Sequence, residues 1–287
     1  RSLLNDYAAQ PDETKARIQK LLTQLAANYP DDPRSLFAMA LLEWRKGNID
    51  AAKEGLKALF TVDPYHERGT LLITEIRLQA DDPSTFEALL TAIEVTNSAL
   101  LRYQYARYLL GRQELENAKA QFDILVREPQ PSADHLISAA LVDIELSQPA
   151  SALVHLDRVL SGRQRINDAY FFRGLALIQV QDTAQALDAF ARVAPSTNYT
   201  RALREAANLL ISDGDINATN GFFERQRVAH PQGREISFNL HADTLEALGS
   251  GEARNVLTTA LPEFPQSTRP LFARATLLER PGLFNQP

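Results

Sequence analysis

The chain has 287 residues, 45% of them hydrophobic, and a formal net charge of −6. That balance supplies an extended apolar core and argues against a general nucleic-acid binder. It contains no cysteine, which excludes disulfides and thiolate chemistry, and no apolar run approaches the ~18 residues that suggest a membrane-spanning helix.

Prolines set the beat along the chain. Pro30, Pro64, Pro129, Pro195, Pro231 and Pro265 each close an apolar helical stretch, with gaps of 34, 65, 66, 36 and 34 residues. One or two periods of about 33–36 residues mark a stacked repeat architecture. Residues 1–30 read as an incomplete first repeat. In 34–64, Leu36, Met39 and Ala40 recur at helical spacing. Gly47-Asn48 breaks the pattern, and Ala52, Leu56, Leu59 and Phe60 restart it before Asp63-Pro64. Two amphipathic helices joined by a tight turn follow. Asp32-Pro33 and Asp82-Pro83 read as helix starts, Asp accepting from early backbone N–H groups and Pro preset in the first turn.

Segment 66–97 fits the pattern poorly and leaves a hinge, a distorted repeat or a misread one open. Beyond it the phrase returns. Two small residues and then a large one recur as Ala106, Ala118 and Phe122, and then as Ala140, Ala152 and Leu156. Gly174, Ala186 and Phe190 repeat it, followed by Ala207, Thr219 and Phe223, and by His241, Ala253 and Leu257. Small side chains let paired helices approach, and the large one fills the gap between repeats. Residues 268–280 read as one more first helix, stopped by Pro281-Gly282. Unfinished repeats at both ends, and a start at Arg1, suggest a piece of a longer protein with any leader or lipid anchor outside it.

On these residues the chain resembles the tetratricopeptide-repeat (TPR) proteins. Gly174, Ala186 and Phe190 match the family's small–small–large positions well, as do Ala106, Ala118 and Phe122, whereas His241 departs from them. A narrower resemblance lies in ARYLLGRQELENAKAQFDILV, in AYFFRGLALIQVQDTAQALDAFARVAPSTNYTRA with its break at 194–199, and in LFARATLLER. These phrases are similar to periplasmic TPR lipoproteins of the Gram-negative outer membrane, a group that includes LbcA-like adaptors of a carboxyl-terminal processing protease.

Chemistry is sparse in this sequence. His66, His135, His155, His230 and His241 form no HExxH pair and read as solvated or helix-end histidines. No GxSxG elbow and no phosphate-binding GxxxxGK[ST] loop occurs. We therefore expect no catalytic set, no metal and no cofactor.

The TPR resemblance implies that the first helix of each repeat lines a concave groove. Its inward positions are Phe37, Tyr103, Ile137, Phe171, Arg204 and Phe238, and four residues on, Leu41, Arg107, Leu141, Leu175, Asn208 and Ala242. Two readings of this aromatic stripe stand side by side. One is a ladder of anchors for a peptide; the other is packing against the neighbouring helix. Trp44, with Arg34 and Arg45 near it, extends the first inner face. Arg201, Arg204 and Asn208 put two guanidinium groups and an amide on one helix face, suited to a carboxylate or else simply solvated.

The expected fold is all-α, a right-handed α-solenoid of TPR helix-turn-helix repeats forming a single superhelix over 1–287. It holds about eight helix pairs, near 1–30, 33–64, 66–97, 99–130, 133–162, 167–195, 200–231, 234–265 and 268–280. The expected role is a non-catalytic scaffold or adaptor for a protein or peptide partner. Nucleic acid and small-molecule substrates are not expected, and membrane attachment would come only through an anchor outside these residues. The narrower resemblance implies a periplasmic location, with a cytoplasmic one as the alternative. A module of exopolysaccharide synthesis or export, the non-catalytic part of a larger enzyme, and self-association through unfinished ends remain open readings.

Overall fold

A computed structural model describes residues 7–80, 82, 84–268 and 270–271. Among them there is no strand. The helices fall into two compact units, Arg1–Leu125 and Val126–Pro287. The first holds a 3₁₀ turn (Tyr7–Ala9), α1 (Asp12–Asn28), α2 (Pro33–Arg45), α3 (Ile49–Val62), α4 (Glu67–Gln79), α5 (Glu87–Thr96), α6 (Ala99–Gly111) and α7 (Leu115–Val126), whose last residue falls past the boundary. The second holds α8 (Ala133–Glu145), α9 (Pro149–Ser161), α10 (Ile166–Gln179), α11 (Thr183–Ala191), α12 (Tyr199–Asp213) and α13 (Ile216–Ala229), then a 3₁₀ turn (Pro231–Gly233), α14 (Arg234–Ala247) and α15 (Ala253–Ala260). The architecture is an all-α helical-repeat solenoid.

The repeat is written into the backbone. Gly47, Gln113, Ser147, Gln181, Gly214 and Gly249 all have positive φ and sit in the turns inside helix pairs, spaced by 66, 34, 34, 33 and 35 residues. Only a left-handed residue reverses the chain that tightly, and Gln113, Ser147 and Gln181 adopt it without glycine's freedom.

Polar bonds at the same period stitch neighbouring pairs together. At the starts of first helices, Ser98 donates to Glu67, Arg165 pairs with Asp134, and Asn198 Nδ2 donates to Asp168 Oδ1 at 2.7 Å. At helix ends, Gln179 Nε2 donates to the Ile144 carbonyl at 2.8 Å and Gln226 Nε2 to the Ala191 carbonyl at 3.1 Å. The last carbonyls of an α-helix have no partner within it, and the next repeat supplies one.

The small–large residues lie in the interior. Ala40, Ala52, Ala106, Ala118, Phe122, Ala140, Ala152, Ala186, Phe190, Ala207, Phe223 and Ala253 are all buried. Gly174 is buried too, and a Cβ built on it would fall 2.4 Å from Phe190 Cε1. Helix α10 thus lies directly on the ring of α11. A buried cluster runs through α10–α13, from Phe171 and Leu177 to Phe222 and Phe223.

Two expectations need correction. The first is the helix start read at Asp82, within segment 66–97, which holds α4 and α5. Asp82 does not start α5: it accepts from Ser84 N and Oγ, both at 2.8 Å, which holds it in a turn, and the helix begins at Glu87. Asp32 does cap α2, accepting from Arg34 N at 2.8 Å. Pro83, and the helix read at 268–280 apart from 268 and 270–271, lie outside the described residues.

His241 is the second correction, being buried rather than solvated or at a helix end. It stacks on Phe223 with ring centroids 5.0 Å apart. Arg227 Nη1 lies 3.2 Å from its Nδ1, and Asn220 Oδ1 lies 2.7 Å from its Nε2. A guanidinium only donates, so Nδ1 accepts and the ring's one proton sits on Nε2, facing Asn220. Burial first, and then the Arg227 charge, depress its pKa to about 4. A fixed, neutral imidazole thus fills a position where the repeat calls for a small residue.

Candidate functional site

Helices α2, α4 and α6, the first helices of three successive pairs, form one wall in the first unit. A groove of about 1020 Å³ opens on it. From α2 come Arg34, Phe37, Ala38, Leu41 and Trp44. Their spacing puts them on one stripe of the helix. The opposite stripe, Ala40 among it, is buried against α3.

Phe37, Leu41 and Trp44 are only partly buried; they pack against the α2–α4 core and leave surface toward the groove. The Arg45 guanidinium lies 4.4 Å from the Trp44 ring centroid and covers one face of the indole. Phe37 is flanked by the His66 ring, 5.3 Å away, and His66 caps α4 by accepting from Gly69 N at 3.1 Å. Arg34 reaches back to Asp32, Nη2 to Oδ2 at 2.7 Å. That bond holds the Asp32 carboxyl down at about 2. Arg34 is therefore already paired, while Arg68 on α4 makes no ion pair among the described residues.

Sequence reasoning missed half of the groove. Leu71, Leu72 and Glu75 of α4 line its middle, and Gln104 and Tyr108 of α6 close its far side. Burial first, and then the Glu75 carboxylate that accepts its hydrogen bond, push the Tyr108 hydroxyl's pKa up. The α4 residues escaped because 66–97 read as degenerate. On α6 the register is one residue off: Gln104 and Tyr108 line the groove, next to the expected Tyr103 and Arg107. Tyr103 packs edge-on against Phe122 at 6.0 Å, with Arg107 over its ring at 5.9 Å. The i, i+4 spacing of Gln104 and Tyr108 was the available signal.

In the second unit the aromatic stripe is not an open ladder. Phe171 is fully buried, touching Phe172 and Phe190 and capped by Arg201, whose guanidinium lies 4.8 Å from the ring centroid. Phe238 is buried too, under Arg227 at 4.4 Å. Each falls at an inward helix position, but a long cation from a neighbouring helix closes over it, so neither is a groove anchor. Arg201, Arg204 and Asn208 are exposed on α12. Arg201 is committed to Phe171, which leaves Arg204 and Asn208 as that face's open polar groups.

Arrays of paired helices like this one are found among solved structures. The fold is that of the tetratricopeptide-repeat proteins. The C-terminal part of a TPR repeat-containing protein from Cytophaga hutchinsonii superposes with a TM-score of 0.53 at 12% identity, over 88% of this chain and 92% of its own. A TPR protein from Parabacteroides merdae gives 0.50 at 16% identity, over 86% and 97%. PilF of Pseudomonas aeruginosa gives 0.50 at 16%, over 74% and 97%. No protein-family model and no curated protein matches the chain. At these identities the likeness carries the TPR fold and no more. Among the described residues there is no cluster of three His, Cys, Asp or Glu placed to hold a metal ion, and no helix long and apolar enough to cross a membrane.

Proposed function

We propose that this chain is a non-catalytic protein-binding adaptor whose working face is the groove of the first unit. One observation carries the reading: Phe37, Leu41 and Trp44 stay half-open over a cavity of about 1020 Å³, although a core lies directly behind them. Exposed aromatic surface lowers solubility unless a partner covers it, and aromatic anchors in concave sites dominate binding energy. Much of the lining is apolar, and Arg68, Glu75 and Gln104 among it can orient a ligand. An apolar side chain of a peptide suits the floor. The rim suits the peptide's polar groups.

The setting we propose is the periplasm, with attachment to the outer membrane through sequence outside these residues. A cell-envelope protease or assembly machine is the proposed client. The support is the phrasing of 106–126, 169–202 and 271–280, which is similar to periplasmic TPR lipoproteins.

The test uses the chain as bait in a periplasmic extract, followed by titration of the retained protein while Trp44, the single tryptophan, is monitored by fluorescence. We expect a spectral shift on binding. Phe37→Ala with Leu41→Ala should weaken affinity about tenfold or more, as loss of central anchors does. A partner bound equally well by the double variant, with Trp44 emission unmoved, would remove this groove from the mechanism.

A further inference from the structure

Helix α11 stops early. It has 9 residues, against 13 in α9 and 14 in α13. Its last carbonyl, on Ala191, accepts from Gln226 Nε2 at 3.1 Å. A carbonyl only accepts, so it fixes the Gln226 amide with the N–H side toward α11 and the oxygen turned away. Gln226 is 2% exposed, and its Oε1 meets no donor among the described residues. A buried acceptor without a donor is costly, and native interiors hold few of them. The repeat does not call for an amide here: Leu59, Leu125, Val159, Val193 and Ala260 fill the corresponding places with buried apolar side chains.

Gln226 lines a cavity of about 510 Å³ between α11 and α13. Ala184, Ala191, Ala218 and Gly221 keep it open, and Leu210 of α12 and Phe222 add apolar surface. The charged groups in its lining are one of each sign, Asp188 and Arg225, and Asp188 is paired with Arg192 at 2.9 Å. Charge therefore selects no guest. The buried acceptor does.

We propose that this cavity receives a tryptophan side chain of a protein partner, its indole N–H donating to Gln226 Oε1. The inference is independent of the groove on α2, α4 and α6. The choice of guest follows from what each side chain donates and accepts. Lys and Arg donate, but would bury a charge beside a carboxylate that is already paired. Ser, Thr, Tyr, His, Asn and Gln donate, but each brings an acceptor that apolar walls leave unmet. A main-chain amide brings its carbonyl, and the helical walls have already bonded their own N–H groups. Among side chains, indole alone is neutral, largely apolar and donor-only. The volume falls among those of sites that enclose small ligands, and buried tryptophans dominate many interfaces.

The probe is N-acetyl-tryptophanamide, compared with its benzothienylalanine analogue, which has nearly the same shape and no N–H. Binding to the whole chain is read from the amide resonances of α11 and α13 by NMR. We expect the tryptophan probe to move them at millimolar concentration, and the analogue to bind about tenfold more weakly for want of one buried hydrogen bond. Gln226→Leu should erase that preference. The ratio of two probes on one folded variant is insensitive to any change in its stability. Gly221→Leu should block both probes without lowering Tm, because the nearest group to its added Cβ, at 3.2 Å, is the flexible end of Arg225. No shift in α11 or α13, equal binding of the two probes, or a preference that survives Gln226→Leu would each overturn the proposal. So would tighter binding of N-acetyl-tyrosinamide, since the guest would then be a phenol. A dimer of the chain that Trp44→Phe dissolves would overturn it too, since the donor would then be a second copy.

Discussion

Helices α2 and α10 present a phenylalanine at the same inward position, and the structure treats the two oppositely. Phe37 stays half-open over a groove, whereas Phe171 is sealed by Phe172, Phe190 and Arg201. The backbone pattern is alike, so the difference lies in what the next first helix brings. Arg201 on α12 lays its guanidinium over Phe171; α4 offers Phe37 only the flank of His66 and leaves the rest to Leu71 and Leu72. One repeat position is thus left half-open in the first unit and forms core in the second.

The sharpest test of that contrast is paired truncation. Phe171→Ala should cost about 3–5 kcal/mol, as removal of a fully buried Phe does. Phe37→Ala should cost about 1–2 kcal/mol of stability, because part of the ring already meets water. Urea unfolding of both variants measures the difference, and equal losses would erase the contrast.

Acid should act through the second unit. The folded pKa of His241, about 4, lies below the 6.5 of an unperturbed histidine. The native state therefore resists protonation. His241's contribution is complete above pH 6.5 and is lost as pH falls toward 4, reaching about 3 kcal/mol. Hydrogen exchange in α13–α15 at pH 7 and pH 4.5 should show selective loosening. Comparison with His241→Gln isolates this term from other groups that titrate in the same window; an unchanged pH slope in that variant would refute the assignment.

Gly174→Ala probes the tight approach of α10 to α11. Its Cβ would meet the Phe190 ring at 2.4 Å, and overpacking of this kind costs about 1–3 kcal/mol. Thermal melts would register it as a lowered Tm; an unchanged Tm would mean that the ring can yield. The smallest effect is expected at Gln181, whose φ is 61°. Gln181→Gly should relieve left-handed strain, partly offset by a looser unfolded chain, for a gain of about 0.5 kcal/mol.

Much of the scaffold was legible because its signals are local. Proline starts a helix, as Pro33 and Pro149 do, or follows its end, and Pro64, Pro195 and Pro231 each follow a helix end. Small residues such as Ala106 and Ala118 reveal close helix packing by their spacing alone. The start expected at Asp82 failed because its carboxylate had two nearer donors on Ser84. The candidate groove was half legible. Phe37, Leu41 and Trp44 followed from the inward positions that the TPR resemblance implies, but Leu71 and Glu75 lie in a repeat whose pattern is blurred, and Tyr108 is one residue from the expected register.

Period, helix pairing and the buried small–large sets were determined by the sequence itself, since each depends on residues within one repeat length. Which inward aromatics stay open was decided only in three dimensions. A ring's exposure depends on side chains about 30 residues away, as with Arg201 over Phe171, and helical phase carries no information on how far a neighbour's guanidinium will reach.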